Sequence, residues 1–384
     1  MKGWTKQSLG TLCEIYQPKT ITSKDLLADG EFPVFGANGI IGRYNHFNHE
    51  EPQLLVTCRG ATCGTVNMSL PRSWITGNAM VVRPKNAALS LEYLKYFFLG
   101  ACDFSKVITG TAQPQITRQT LAPTTLAFPP LPEQRRIVAI LDEAFEGLEA
   151  MRANSEKNLK NARELFDSYI NAIFIEKGEG WISERLNKHV QFVDYRGKTP
   201  PKRETGVRLI TAKNVKMGFI RRNPEEFIDA QAYDEWMTRG FPEIGDVLFT
   251  TEAPLGNVAQ LDTSEKVVIG QRLITMKPDR SVLDRTFLAY MLMSKPLQDS
   301  IHAFATGATV QGIKAKLLKE IPIHFPKLIS EQVRIACQIE LIIAESRRLE
   351  ALYRQKLAAI AELKQSLLQK AFAGELTSSE SIAA

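Results

Sequence analysis

The sequence predicts an α+β fold built from two similar domains, each followed by one long helix. The first observation is a repeat, because "FPPLPEQRRIVAILDEAF" at residues 128–145 returns as "FPKLISEQVRIACQIELI" at residues 325–342. The second is the length of 384 residues, which exceeds one domain of ~100–200 residues and suits two or three. The third is the alternation of short β-rich runs with loops containing glycine and proline ahead of each helix block.

The repeat extends along most of the chain in a constant order. The opening "WTKQSLG" returns as "WISERLN", "CGTVNM" as "LGNVAQ", "GNAMVVRP" as "GQRLITMKP", and "YLKYFF" as "FLAYML". The longest block begins at Gly110 and again at Gly307, and it keeps a constant offset of 197 residues. Offsets that grow by small insertions, while the order is preserved, indicate duplication followed by drift in surface loops.

The repeat divides the chain into four segments. These are a first domain at residues 1–130, a first helix segment at 131–179, a second domain at 180–328, and a second helix with its tail at 329–384. Within the domains, we predict strands at "QLLVTC", "AMVVRP", "DVLFTT" and "RLITMKP". Short helical stretches between such strands complete the α+β arrangement.

Both helices are predicted to be long, from Pro132 to about Ile175 and from Ser330 to Ala373. Their apolar residues recur in steps of three and four, which is typical of a coiled-coil seam, although Ser346 interrupts the second seam. Each helix would span ~65 Å at 1.5 Å per residue. Neither helix buries its stripe alone, so we expect an antiparallel pair that spaces the two domains. The residues predicted for the seam and for partner docking are Ile137, Leu141, Leu148, Phe166, Ile335, Ile342, Leu349, Leu363 and Leu367.

Composition restricts the classes of function. The net charge of +6 and the pI of about 8.9 suit a phosphate-rich partner, although many basic proteins bind nothing anionic. We expect a cytoplasmic protein, because the opening residues lack a secretory signal and no apolar run could span a bilayer. The five cysteines are scattered without CxxC spacing, and the histidines lack companion ligands, so we expect reduced thiols and no metal site.

Three stretches resemble the specificity subunits of type I restriction-modification enzymes. They are the two helix-entry blocks and the terminal "LKQSLLQKAFAGEL" at residues 363–376, which resemble the conserved regions of that family. The stretch at residues 194–215, "DYRGKTPPK" to "TAKNV", is similar to the start of one common target recognition domain, whereas "FPVFGANGIIGRY" resembles a different type. The second helix entry departs slightly from the first, with Ile329 and Ser330 where the first has Pro132.

This resemblance implies a non-catalytic subunit of a larger complex. Two target recognition domains, in a pseudo-twofold arrangement, would take the two halves of a split, asymmetric site in double-stranded DNA. The paired helices would dock two methyltransferase (modification) subunits, to which restriction subunits can add. S-adenosylmethionine, ATP and Mg²⁺ would belong to those partners, so this chain is expected to bind no cofactor and no membrane.

The motifs that the chain lacks agree with a binding protein. An amino-methyltransferase would need (N/D)PP(Y/F), and the nearest sequences are "TPPK" and "FPPL". A GxxxxGK(S/T) phosphate loop and a nuclease-like group of carboxylates with lysine are also missing. Two rival interpretations stay open: a modification enzyme with an unrecognised motif, and a coiled-coil scaffold that makes no DNA contact.

The predicted DNA contacts lie in loops rich in glycine, basic residues and amides. Such side chains clamp phosphates and read guanine or adenine edges. In the first domain the candidates are Arg59, Asn78, Gln113, Gln115 and Arg118. In the second domain they are Arg196, Lys198, Lys202, Lys213, Asn214, Gln271, Arg272, Thr309, Gln311 and Lys314. For Arg59, the alternative to a DNA contact is a surface ion pair. Gln271 and Arg272 could instead be ordinary exposed polar residues. Gly110 and Gly307 could simply be turn glycines.

Overall fold

A computed structural model gives the fold of the chain. The residues that it describes are 3–110, 112–195, 200–307 and 309–377. The chain divides into two compact units, one made of Met1–Glu156 with Arg354–Ala384 and the other of Lys157–Tyr353. Among the described residues, every helix is too short or too polar to span a bilayer.

The first unit contains two small sheets and a strand pair. Its elements are β1 (Thr5–Ser8), α1 (Leu9–Leu12), β2 (Cys13–Tyr16), β3 (Phe32–Gly36), β4 (Gly39–Tyr44), β5 (Leu54–Thr57), β6 (Val66–Met68), β7 (Trp74–Ile75), β8 (Ala79–Pro84), α2 (Leu91–Gly100), α3 (Arg118–Leu121) and β9 (Thr125–Phe128). Four strands form an antiparallel sheet in the order β2-β8-β5-β6. Strand β3 lies between antiparallel β4 and parallel β7, and β1 pairs with β9. The long helix α4 (Leu131–Glu176) follows.

The second unit repeats this plan. Its elements are β10 (Trp181–Arg185), α5 (Leu186–His189), β11 (Val190–Asp194), β12 (Val207–Ile210), β13 (Val215–Lys216), β14 (Phe219–Ile220), β15 (Phe227–Ile228), α6 (Tyr233–Trp236), β16 (Val247–Thr250), β17 (Val258–Gln260), β18 (Val267–Ile269), β19 (Leu273–Pro278), α7 (Arg285–Met293), α8 (Lys295–Ala303), α9 (Ala315–Glu320) and β20 (Pro322–Pro326). The long helix α10 (Ile329–Ala373) follows, and its residues from Arg354 on belong to the first unit. The sheet orders β11-β19-β16-β17 and β15-β12-β18, and the pair β10-β20, match those of the first unit strand by strand. The hairpin β13-β14 is an addition. The predicted α+β fold with an internal repeat is confirmed.

Central strands explain why the β-rich runs are so apolar. Every residue of β5 and of β16 is buried, because both faces of these strands are covered. In the first unit, Leu54 packs in the cluster that contains α2, whereas Leu55 packs with Phe35 and Ile75 of the three-stranded sheet. The predicted strands "QLLVTC", "AMVVRP", "DVLFTT" and "RLITMKP" therefore form the middle layer of each unit.

A buried glutamine joins the first long helix to its domain. Gln134 is fully buried, and its Nε2 donates to the carbonyl oxygens of Ala88 and Pro129, each at 2.8 Å. Its Oε1 accepts from the backbone N–H of Ser90 at 2.9 Å, and Ser90 is the N-cap of α2. One side chain thus fixes the start of α4 against the start of α2.

The second unit uses the same joint. Gln332 is also fully buried, and its Nε2 donates to the carbonyls of Val282 at 2.9 Å and Pro326 at 2.8 Å. Its Oε1 accepts from the N–H of Asp284 at 2.8 Å, and Asp284 caps α7. The repeated "EQ" of the two helix entries is therefore explained by a glutamine clamp, the name used below for Gln134 and Gln332 with these partners.

The two long helices pair antiparallel within each unit. In the first unit, Ile137 and Leu141 share a core with Leu368, and Lys364 Nζ lies 3.1 Å from Glu149 Oε1. In the second unit, Arg163 Nε lies 3.4 Å from Glu350 Oε2. The early part of each helix thus meets the late part of the other, as predicted.

Ser346, predicted to interrupt the seam, is buried. Its hydroxyl donates to the carbonyl oxygen of Ala162, which satisfies the hydroxyl inside the helix pair. A polar residue is therefore accommodated in this seam by a hydrogen bond to the facing backbone.

The seam differs from the prediction toward the end of α10. Leu148 and Ile335 are buried as expected, and Phe166, Ile342, Leu349 and Leu367 are partly buried. Leu363 is instead 48% exposed, and the fully packed residues are Leu368 and Ala371. In a straight helix, positions seven residues apart are rotated by about 20° around the helix axis. Residues chosen by continuing a seven-residue repeat therefore move away from the contact face toward the end of a long helix.

Gly147 offers a test of the uninterrupted helix. It lies inside α4, and a Cβ added there would meet no atom within 4 Å. We expect Gly147→Ala to raise the unfolding free energy of the first unit by about 0.5–1 kcal/mol, because alanine loses less backbone entropy. Chemical unfolding measures the shift. Gly100→Ala is the matched control and should destabilise, since its Cβ would collide with the side chain of Leu368.

Candidate nucleic-acid interface

A repeated hairpin loop marks the candidate interface. In the first unit, Thr109 and Gln115 exchange two backbone hydrogen bonds of 2.9 and 2.8 Å. In the second unit, Thr306 and Gly312 do the same at 2.9 and 3.0 Å. Each loop is then tied to the end of a central strand, since Ile116 N–H donates to Cys58 O at 3.0 Å, and Ile313 N–H to Thr251 O at 2.9 Å.

Gly110 and Gly307 are needed for the turn of this loop. Their φ angles are +85° and +110°, values that favour glycine. A Cβ at Gly110 would lie 2.6 Å from the carbonyl oxygen of Gln113, and one at Gly307 would collide with that of Val310. The turn interpretation of both glycines is thereby supported, and it holds the loop tips at fixed positions.

In the first unit, the loop gathers most of the predicted contacts. Arg59 pairs with Gln115 as a backbone bridge, and Gly60 N–H donates to Pro114 O at 3.0 Å. Cys58 N–H donates to Asn78 O at 3.3 Å, which places Asn78 beside Arg59. Asn78, Arg59 and Gln115 are exposed, as are the predicted residues Gln113 and Arg118. In the described part of the chain, Arg59 makes no ion pair that would support the alternative interpretation.

Cys58 anchors this loop as a neutral thiol. Burial raises the pKa of Cys58, and a hydrogen bond from Gln17 Nε2, 3.0 Å from Sγ, opposes the shift only in part. The thiol therefore stays protonated at neutral pH and serves as packing beneath the exposed Arg59.

In the second unit, Gln271 and Arg272 separate two adjoining clefts. Both side chains are exposed and line both clefts, so their predicted role in DNA binding stays a prediction. The first cleft is also lined by Thr251, Glu252, Thr306, Val310 and Lys314. The second is also lined by Lys202, Thr211, Lys213, Glu226 and Gly270.

Each cleft is lined by one ion pair. Arg272 Nε lies 3.0 Å from Glu252 Oε1, and Lys202 Nζ lies 2.7 Å from Glu226 Oε1. Both cations are about half exposed, at 50% and 49% of the side chain. Water therefore screens the pairs, and both cations remain open to a phosphate or a base edge.

Asn214 has a structural position, contrary to its predicted role at the DNA. It is fully buried, and its Oδ1 accepts from the N–H and the hydroxyl of Thr211 at 3.0 and 2.9 Å. Its Nδ2 donates to the carbonyls of Arg221 and Pro224 at 3.1 and 2.9 Å. Because all its polar capacity is used, Asn214 braces the turn that exposes the neighbouring Lys213.

The remaining predicted residues have mixed outcomes. Thr309 and Gln311 are exposed on the second loop, where Gln311 Oε1 lies 3.3 Å from His302 Nδ1. Arg196 and Lys198 lie outside the described residues.

Sequence reasoning missed Glu252 and Val310. Glu252 is neither basic nor an amide, the residue types expected at DNA, although it follows β16 by two residues, as Arg59 follows β5. Val310 is 54% exposed at the loop position of Gln113 in the first unit. Superposing the two strand ends in the sequence repeat could have identified both.

Comparisons with known proteins match both halves of the chain to one family. The family model described as "Type I restriction modification DNA specificity domain" matches residues 1–161 and again 197–357. A putative type I restriction enzyme specificity subunit of Haemophilus influenzae is 23% identical over 324 residues, covering 81% of this chain and 80% of that protein.

Two solved structures share the fold. The HsdS subunit from Thermoanaerobacter tengcongensis has a TM-score of 0.63 at 20% identity, covering 98% of both chains. A chain from a study of complex assembly and conformational transition of the type I R-M system has a TM-score of 0.75 at 21% identity, covering 98% and 99%. With the same family model matching both halves, the chain belongs to the family of type I restriction-modification DNA specificity subunits.

Proposed function

We propose that this specificity subunit recognises a bipartite, asymmetric site in double-stranded DNA, with one domain on each half-site. The observation that carries the proposal is the repeated loop, which presents exposed basic and amide side chains at the end of the same central strand in both units. The described side chains of this loop are of the types that bind phosphates and base edges. The chain acts without catalysis of its own.

The two half-sites would be read by different side chains. In the first domain, Arg59 and Asn78 suit a guanine and an adenine edge, respectively. In the second domain, Gln271 and Arg272 meet the bases, and Lys202 and Lys213 neutralise phosphates. Because the residues at equivalent positions differ, the two half-sites differ in sequence.

The helices would carry the partners. Leu341 is 71% exposed and Leu363 is 48% exposed on α10, which leaves apolar surface beyond the helix pair. We assign this surface to two methyltransferase subunits, with restriction subunits joining the full complex. S-adenosylmethionine, ATP and Mg²⁺ would be bound by those partners, and the helix segments at 131–179 and 329–384 would set the spacing of the half-sites.

Co-expression with a methyltransferase subunit tests the proposal. The purified complex should modify adenines in a motif of two short blocks with a fixed spacer, mapped on genomic DNA. DNA binding should weaken steeply with salt, with a log–log slope of about −0.9 per phosphate contact. A stable complex whose binding does not respond to salt would instead support a scaffold, and modification by the chain alone would support an enzyme.

Arg59→Ala should weaken recognition of the first half-site. Loss of one bidentate base contact costs about 1–3 kcal/mol of binding free energy, or roughly 5- to 150-fold in affinity. It also lowers the discrimination between bases at one position of the site. Competition binding with oligonucleotides altered in either block measures the effect. The matched control is Arg83→Ala, since Arg83 lies near the far end of β8 and pairs with Glu14. A loss of affinity that is equal for all sequences would contradict base reading by Arg59.

A further inference from the structure

Equivalent positions of the two units carry opposite charges. β5 ends at Thr57 and β16 at Thr250, and two residues later stand Arg59 and Glu252. Both residues form backbone bridges to the repeated loop, Arg59 to Gln115 and Glu252 to Gly312. Arg59 and Glu252 therefore occupy the same place in the candidate interface.

A carboxylate at this place is unfavourable for phosphate binding. The side chain of Glu252 is 45% exposed and lines the first cleft together with Gln271 and Lys314. A phosphate in this cleft would be repelled by the negative charge. The ion pair between Glu252 and Arg272 contributes little to stability, because 45% of the Glu252 side chain and 50% of the Arg272 side chain are exposed to water. Neither phosphate binding nor stability accounts for Glu252.

The backbone around Glu252 and Arg272 adopts unusual conformations and links the two segments. Arg272 has a φ of +69°, and Ala253, next to Glu252, has a φ of +51°. Such conformations are costly for residues with a side chain and cluster at binding sites. The N–H of Thr251 donates to Arg272 O at 2.9 Å, which ties together the two segments that carry the pair.

The chemistry of the pair matches one base pair. A carboxylate only accepts hydrogen bonds, and cytosine offers its N4 amino group as a donor in the major groove. Arg272 places Nε on Glu252 at 3.0 Å, and its terminal amino groups can donate to the O6 and N7 of guanine. The two groups together present an acceptor beside donors, which is the complement of a cytosine–guanine edge.

We propose that Glu252 and Arg272 together read one C·G base pair in the half-site of the second domain. This inference rests on the proposed function, because it assigns a base pair to the interface described above. It adds Glu252 as a specificity-determining residue and gives Arg272 a defined partner base.

Glu252→Gln tests the role of the carboxylate. The amide keeps an oxygen for Arg272 but adds donors that pair with adenine. With methyltransferase subunits bound, we expect the preference for cytosine over adenine at one position to fall about 10-fold or more. The readouts are methylation mapping and competition binding with oligonucleotides that vary the second half-site, while the first block stays unchanged.

Glu265→Gln serves as the matched control, since Glu265 is exposed in the second unit and is absent from the lining of both clefts. It should leave both blocks unchanged. The inference is overturned if the wild-type second block lacks a C·G pair, or if Glu252→Gln lowers affinity equally for every sequence. If the wild-type complex shows no second block, the proposed function itself fails, which is a distinct result.

Discussion

Replacing Leu368 by alanine is expected to destabilise the first unit by about 2–5 kcal/mol, the range for truncating a fully packed leucine. Leu368 is 2% exposed and packs on the backbone of Gly100, at the end of α2. Its neighbour in the same core, Phe372, lies 5.1 Å from Tyr93 and 5.9 Å from Phe97 between ring centroids. The last turns of α10 thus complete a core whose other members lie more than 200 residues earlier.

Leu363→Ala is the matched control, because the same substitution on the same helix removes a side chain that is 48% exposed. It should change the free energy of unfolding by less than about 0.5 kcal/mol. Hydrogen exchange followed by mass spectrometry would localise the loss caused by Leu368→Ala to peptides of the first unit. Equal destabilisation by the two variants would contradict the packing of α10. Weaker methyltransferase binding by Leu363→Ala alone would support the docking role.

Gln134→Glu is expected to cost the first unit about 3–5 kcal/mol, the usual range for an uncompensated buried charge. The introduced carboxylate would face the carbonyl oxygens of Ala88 and Pro129, which the amide now bonds at 2.8 Å. Gln332→Glu should do the same to the second unit, where the facing carbonyls belong to Val282 and Pro326. Denaturant unfolding with hydrogen exchange of each unit measures both effects.

The pH dependence of the unfolding free energy distinguishes a buried charge at the glutamine clamp from a simple loss of packing. Burial and the two carbonyls would raise the pKa of the introduced carboxyl above its unfolded value, so the folded state binds the proton more tightly. Stability of the Gln134→Glu variant should therefore increase as the pH is lowered from 7 toward about 5. Gln134→Met should show no such recovery. Gln369→Glu, at an exposed position of α10, should be close to neutral, and a large loss there would contradict this assignment.

The sequence was sufficient for the long helices and for the repeat. Both helices were predicted within about one residue of their observed ends, Leu131–Glu176 and Ile329–Ala373, since apolar periodicity over such lengths has few alternatives. The pairing of strands could not be predicted, because short strands with similar composition permit many orders. The sequence repeat predicts that the two units have the same strand order, but it does not predict what that strand order is.

The candidate site was predicted at the level of loops but not of every side chain. The loop glycines and the exposed Arg59 were visible as residue types in a repeated pattern. Asn214 was misassigned because an amide next to a lysine looks the same in sequence whether it points outward or bonds four backbone and hydroxyl groups internally. The glutamine clamp was invisible for a related reason, since the partners of Gln134 include Ala88 and Ser90, far away in the chain.

Every partner of the glutamine clamp is a backbone atom: in the first unit the carbonyls of Ala88 and Pro129 and the N–H of Ser90. Because its hydrogen bonds reach only main chain, the joint requires no particular polar side chain from the domain that it holds. A domain of different sequence but the same backbone fold would offer the same partners, so a crossover just ahead of a helix would leave the joint intact. Under the proposed function, such an exchange would change one half-site of the DNA target in a single event and leave the proposed docking surface of the helices unchanged.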